Sequence, residues 1–177
     1  MEIWTIGHST LPIESFIDAL RVNSIALLAD VRRFPASRRH PQFGREALAQ
    51  SLGAHGIDYV HYEALGGRRP PRANSRNTAW RNDSFRGYAD YMETAEFTRA
   101  IEVLVRDAKA RRVAIMCAEM LWWQCHRGLI ADYLKAHDHR VTHIAAAGRT
   151  EPHPFTSAAR IIDGRLSYPG LLDADPP

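Results

Sequence analysis

Val113-Ala-Ile-Met-Cys117, then Ala118-Glu119-Met120-Leu121-Trp122-Trp123-Gln124-Cys125-His126-Arg127, then Gly128-Leu-Ile-Ala-Asp-Tyr-Leu134, reads as strand, loop and helix in one run. The first five residues form the continuous apolar stretch of a strand buried on both faces. Leu129, Ile130, Tyr133 and Leu134 then recur at helical spacing. The loop between them holds both cysteines of the chain, Cys117 and Cys125, with Glu119, His126 and Arg127 beside them. In an open α/β sheet, ligands bind just beyond the carboxyl end of a strand, where the next helix starts. A helix start carries unpaired N–H groups and positive dipole, so Cys125, His126 and Arg127 suit an anion there, and a thiolate is favoured.

The same alternation extends outward from this stretch. Glu2 to Ile6 reads as a short buried strand ending in Gly7-His8-Ser9. A helix follows through Ile13, Phe16, Ile17 and Leu20, with Pro12 at its start and Thr10 as its cap. Ser24 to Val31 is a second apolar strand closing on Asp30-Val31-Arg32. A polar loop from Arg33 to Gly44, stiffened by Pro35 and Pro41, leads to a helix from Arg45 to His55 that stops at Gly56. Ile57 to Tyr62 is a third strand. Two helices, through Phe85 to Met92 and Phe97 to Ala108, lead back to Val113, and Arg140 to Ala145 is a fifth strand. This order predicts one α/β domain over residues 1–177: a three-layer fold with a mostly parallel sheet of about five strands and helices on both faces. Within it, residues 65–83 form a long basic loop, functional or flexible. Asp163-Gly164 suggests a C-terminal hairpin over 160–169.

Composition narrows the classes. Hydrophobic residues make up 45% of the 177 and charged residues 24%, ordinary values for a folded domain. Met-Glu-Ile-Trp lacks the basic then apolar pattern of a signal peptide, and no apolar run approaches about 18 residues, so a cytoplasmic chain without membrane contact is expected. In a reducing compartment two cysteines are expected as thiols or ligands, with a redox pair as the alternative. The net charge of +3 is unevenly spread. Arg32 to Arg86 holds eleven arginines against four acids, a window of +7. Arginine outnumbers lysine 21 to 2, a bias a GC-rich genome also produces, but its clustering points to phosphate or carboxylate ligands.

Several motifs are absent: the Gly-rich dinucleotide fingerprint, the P-loop, His-Glu-x-x-His and Gly-x-Ser-x-Gly. The cysteine-phosphatase spacing is absent as well, since the sixth residue after Cys117 is Trp123. The candidate catalytic residues are Cys117, Glu119, Cys125, His126 and His8. Candidate substrate contacts are Arg32, Arg127, Ser9, Arg68, Arg69 and Trp122. Each has a plain structural alternative. Cys117 can be a core residue, Asp30 and Arg32 can pair with each other, Glu119 can pair with Arg32 or Arg127, and His8 can fix a turn. Trp122 and Trp123 can fill a core or stack on bases. Cys117, Cys125 and His126 are candidate ligands for a metal ion, although they lack structural zinc spacing.

Thr5-Ile6-Gly7-His8-Ser9, Asp30-Val31-Arg32 with Pro35, Ser37 and Phe43, Gly56-Ile57-Asp58-Tyr59, Leu65-Gly66-Gly67, Cys117-Ala118-Glu119 and Cys125-His126-Arg127 together resemble the prokaryotic "domain of unknown function 488" family. The resemblance implies a compact α/β fold and supports the site without naming a reaction. The residues themselves lead to an enzyme acting on a nucleotide, nucleic acid or other phosphate-bearing substrate. A non-catalytic nucleic-acid or ligand binding module, or a thiol- or metal-binding protein, is the alternative.

Overall fold

The structure, a computed structural model, describes residues 1–36, 38–145 and 149–170; Ser37 lies outside them. Strands β1 (Glu2–Gly7), β2 (Leu27–Asp30), β3 (Asp58–His61), β4 (Val113–Cys117) and β5 (Arg140–Ile144) are parallel neighbours, and β6 (Thr150–Pro152) runs antiparallel to β5. The order across the sheet is β3-β2-β4-β1-β5-β6. Helices are α1 (Ile13–Val22), α2 (Arg45–Gly53), α3 (Asp83–Met92), α4 (Ala95–Ala110) and α5 (Arg127–Ala136). A separate hairpin joins β7 (Arg160–Ile162) to β8 (Arg165–Ser167). Asp163 and Gly164 are both left-handed in its turn, as a two-residue hairpin loop of this kind needs.

Alternate residues of each central strand enter opposite cores. Trp4, Ile6, Leu28, Ala114 and Met116 pack on Phe16 and Leu20 of α1 and Leu48 and Leu52 of α2. Ile3, Leu27, Ala29, Val113, Ile115 and Cys117 face Tyr88 of α3, Leu104 of α4, and Leu129 and Leu134 of α5. Burial on both faces is why these strands read as unbroken apolar runs rather than alternating ones. A fully buried side chain of this size contributes roughly 1.5–3 kcal/mol, so the two cores together dominate the stability.

Three details depart from the sequence reading. The second strand begins at Leu27 rather than Ser24, because Ser24 adopts a left-handed turn (φ 53°). Pro12 itself caps α1, which has no side-chain cap from Thr10. The sheet gains a sixth strand, β6, whose three exposed residues Thr150, Glu151 and Pro152 carry no apolar pattern.

Topology fixes where a site forms. The chain leaves β1 along α1 on one face of the sheet, and leaves the adjacent β4 through α5 on the other. The connections diverge there, so a crevice opens beyond the carboxyl ends of β1 and β4. Backbone pairing runs on past the strands into its floor: His8 N–H donates to the Cys117 carbonyl at 3.1 Å, and Ser9 N–H to that of Ala118 at 2.8 Å.

Candidate functional site

A cleft of about 930 Å³ occupies this crevice. Its walls are the His8-Ser9-Thr10 turn, the described residues between Arg32 and His40, Gly67 and Arg68, the start of α3, and the two ends of the segment that joins β4 to α5, Cys117 to Glu119 and Gln124 to His126. Arg32, Arg33, Arg38, Arg39 and Arg68 line it, against one carboxylate, Glu119. A second pocket of about 530 Å³ adjoins it, lined by the rings of Trp80, Phe85, Trp122, Trp123 and Phe155. Phe85 and Cys125 belong to both, so a basic cleft and an aromatic pocket share one wall.

His8 is buried, and stacks on Phe43 with ring centres 4.2 Å apart. Its Nδ1–H donates to the Ser9 carbonyl at 2.9 Å, so Nε2 carries the lone pair, 3.4 Å from Arg32 NH1. Burial, helped by the Arg32 charge, lowers its pKa to about 4, and the imidazole is neutral. Arg32 is clamped by Asp30: Nε donates to Oδ1 at 2.9 Å and NH2 to Oδ2 at 2.6 Å, and Tyr59 OH donates to the same carboxylate at 2.7 Å. The Asp30–Arg32 pair therefore forms, and NH1, which also donates to His8 Nε2, is the part of the guanidinium that Asp30 leaves uncommitted. Ser9 (φ 44°) and Arg68 (φ 61°) are both held left-handed at the cleft. Such strain in non-glycine residues clusters at functional sites.

Cys117 and Cys125 are joined in a disulfide. The end of β4 and the segment entering α5 are brought together by a single turn of 3-10 helix at Trp122–Gln124. His126 beside the bridge is half-buried at the cleft wall, its Nε2–H donating to the Val31 carbonyl at 2.9 Å. Nδ1 therefore carries the lone pair, and it lies 3.5 Å from Cys125 Sγ. Burial pulls this imidazole to about 4 as well, against the opposing effect of the Val31 bond. Gly67 packs on its edge, where a Cβ would stand 2.8 Å from Nδ1.

Arg127 does not face the cleft. Its guanidinium is buried and donates to the carbonyls of Ile6 at 2.9 Å, Glu119 at 2.7 Å and Met120 at 2.6 Å, and to Cys117 Sγ at 3.1 Å. Burial disfavours its charge, the Glu119 carboxylate opposes that, and the carbonyls hold the group in place. Glu119 makes no ion pair among the described residues; its carbonyl, not its carboxylate, meets Arg127. Arg69 is also committed elsewhere, to the carbonyls of Gly66 and Ala64 and to the face of Tyr91, 3.8 Å from the ring centre. Arg68, next to it, is exposed at the cleft. The loop around them is pinned rather than loose: Asp90 accepts from Arg72 N–H (2.8 Å), Ser75 OH (2.6 Å) and Asn77 Nδ2 (2.8 Å).

Among the described residues, no group of three or more His, Cys, Asp or Glu side chains stands close enough to hold a metal ion. The donor set of Cys117, Cys125 and His126 does not fit one: the sulfurs are bonded to each other and Nε2 is taken by a carbonyl. No described helix is long and apolar enough to cross a membrane.

One buried array has no counterpart in the sequence reading. His153 Nε2–H donates to Asp132 Oδ1 at 3.0 Å, which leaves His153 Nδ1 to accept from His143 Nε2–H at 2.8 Å. His143 Nδ1 in turn accepts from Thr5 OH at 2.7 Å. Thr156 OH (2.6 Å) and Tyr168 OH (3.0 Å) complete the Asp132 carboxylate. Trp122 lies flat on His143, ring centres 4.7 Å apart, and its indole N–H donates to Glu151. The array thus supports the floor of the aromatic pocket. The signal for it was an aspartate inside the apolar face of α5.

A family model described as "Domain of unknown function DUF488" matches residues 12–134. No curated protein and no solved structure matches the chain.

Proposed function

The chain belongs to the domain of unknown function DUF488 family, and from that premise we propose that it is an enzyme acting on a nucleotide or nucleic-acid phosphate. The observation that carries this reading is the cleft at the β1/β4 divergence, where five arginines meet one carboxylate beside a pocket of aromatic rings. Arginine forks hold phosphate oxygens bidentately, and a concave basic wall raises the local concentration of anions. Arg32, Arg33, Arg38, Arg39 and Arg68 bind the phosphate in this reading, with Ser9 beside them. The aromatic rings, Trp122 among them, take the base by stacking, which is worth about 1–3 kcal/mol per base.

The polar groups suit acid and base work. His8 and His126 are neutral at physiological pH, each with one nitrogen donating to a carbonyl; the other nitrogen accepts from Arg32 NH1 in His8 and faces Cys125 Sγ in His126, which leaves His126 as the better placed base. Glu119 is the carboxylate at the cleft. Cys125, once reduced, is the thiol placed beside a base.

Calorimetric titration with pyrophosphate, a nucleoside triphosphate and a short single-stranded oligonucleotide, followed by product analysis, tests this. Binding weakened by Arg38→Ala/Arg39→Ala, with turnover lost in Glu119→Gln, is the expected result. Absence of binding by all three ligands overturns it. Binding without turnover would make the protein a binding module instead.

A further inference from the structure

The disulfide is asymmetric in its surroundings, and the asymmetry assigns different tasks to its two sulfurs. Cys117 Sγ accepts a bond from Arg127 NH1 at 3.1 Å, and that guanidinium is fixed by the carbonyls of Ile6, Glu119 and Met120. A thiolate at Cys117 would therefore meet a positive charge already in position, which stabilises it as a leaving group. Cys125 Sγ instead faces the lone pair of His126 Nδ1; both cysteines are buried at the wall of the basic cleft, but Cys125 alone also lines the aromatic pocket. It is the sulfur that an incoming group reaches from either side.

We propose that Cys117 and Cys125 are a two-electron redox centre that exchanges with external thiols, Cys125 being the sulfur attacked and Cys117 the sulfur that leaves. A low-molecular-weight thiol gives up its proton to solvent, and its thiolate attacks Cys125 Sγ. The S–S bond to Cys117 breaks, its electron pair stays on Cys117 Sγ beside Arg127, and a mixed disulfide forms on Cys125. A second thiolate attacks the external sulfur of that mixed disulfide and releases Cys125, so two thiols become one disulfide and the protein gains two electrons and two protons. The reverse direction consumes a low-molecular-weight disulfide. There the Cys125 S–H proton passes to His126 Nδ1, whose tautomer is set by the Val31 carbonyl.

The centre shares a wall with the proposed phosphate site but does not depend on it. Its consequence for that site is direct, because the nucleophilic thiol exists only in the reduced form.

The test is alkylation and intact mass measurement of the full chain after equilibration with mixtures of reduced and oxidised glutathione, together with the two single variants. Two alkylatable thiols under reducing mixtures and none under oxidising ones are expected. With Cys117→Ser, Cys125 is expected to take up one glutathione at least about tenfold faster than Cys117 does in Cys125→Ser. Thiols that stay alkylatable in a folded chain across all mixtures overturn the proposal, as does a faster reaction at Cys117. Circular dichroism of each variant confirms that folded proteins are being compared. Pyrophosphate titration of both redox forms separates the two ideas: lost anion binding with intact exchange removes the phosphate reading and leaves this one standing.

Discussion

Gly7 and Arg127 compete for the same space: a Cβ on Gly7 would overlap the Glu119 carbonyl and stand 2.6 Å from Arg127 NH1. The missing side chain lets the guanidinium cross the end of β1 to the Ile6 carbonyl. Arg127 thereby ties β1, the end of β4 and the following loop together, and shapes the cleft without touching a ligand.

Gly7→Ala accordingly pushes against backbone. It should cost at least about 1–3 kcal/mol, as overpacking does. Gly67→Ala meets only the His126 ring, which can shift, and should cost less. Urea midpoints of the two variants decide the matter; equal losses would contradict the backbone argument.

Arg68 and Arg69 are neighbours in sequence with opposite commitments. Arg68→Ala should weaken anion binding and lower the slope of log affinity against log salt by about 0.7–0.9 for a nucleic acid, with stability nearly unchanged. Arg69→Ala removes bonds to Ala64 and Gly66 and the stack on Tyr91, so it should lose about 1–3 kcal/mol of stability and keep the salt slope. Matching salt slopes for the two variants would refute the assignment.

Acid should destabilise the fold through its histidines. Burial holds His8 and His126 at about 4, and burial with the neighbouring His153 and Arg127 holds His143 at about 2, while unfolded histidine titrates at 6.5. Below that value the unfolded chain takes up protons that the folded chain refuses. Stability therefore falls as pH drops from 6.5, by up to about 1.4 kcal/mol per pH unit for each histidine, and the loss levels off only below the folded values. Denaturant midpoints at pH 7.5 and pH 5 measure it. A flat profile would show that these rings are accessible to protons in the fold.

Asp132 is the shared acceptor of His153, Thr156 (backbone N–H and hydroxyl) and Tyr168, so Asp132→Ala leaves four buried donors without a partner and should cost about 3–5 kcal/mol. Asp132→Asn keeps the shape and one acceptor oxygen, and should cost less than half of that. Thermal unfolding of both variants tests the ranking.

The sheet was legible because its strands are buried on both faces and each is followed by a helix, which aligns their carboxyl ends. The convergence of His8, Arg32, Cys117 and Glu119 followed from that order alone. What each side chain does there was not legible. The sequence places Arg127 beside Cys125 and His126, yet its guanidinium turns inward to carbonyls, a choice that depends on Gly7, far away in the chain. Nothing local distinguishes Arg68 from Arg69. β6 has three exposed residues, one of them a proline, too little to mark a strand, and it is held by pairing with β5 and by the Trp122 indole N–H on Glu151. Thr5, Asp132, His143 and His153 come from four segments, so no spacing rule could join them.

The hydrogen bonds of Asp132 also bear on what the matched segment is. Residues 12–134 stop two positions after that carboxylate, while His143, His153, Thr156 and Tyr168 all lie beyond. They begin after β1, the strand seated between β4 and β5. A fragment cut at those bounds would carry a bare aspartate inside α5 and a sheet missing its middle. The matched stretch is thus less than the fold it belongs to: part of the scaffold that frames the cleft, β1 and the partners of Asp132, is supplied from both ends of the chain.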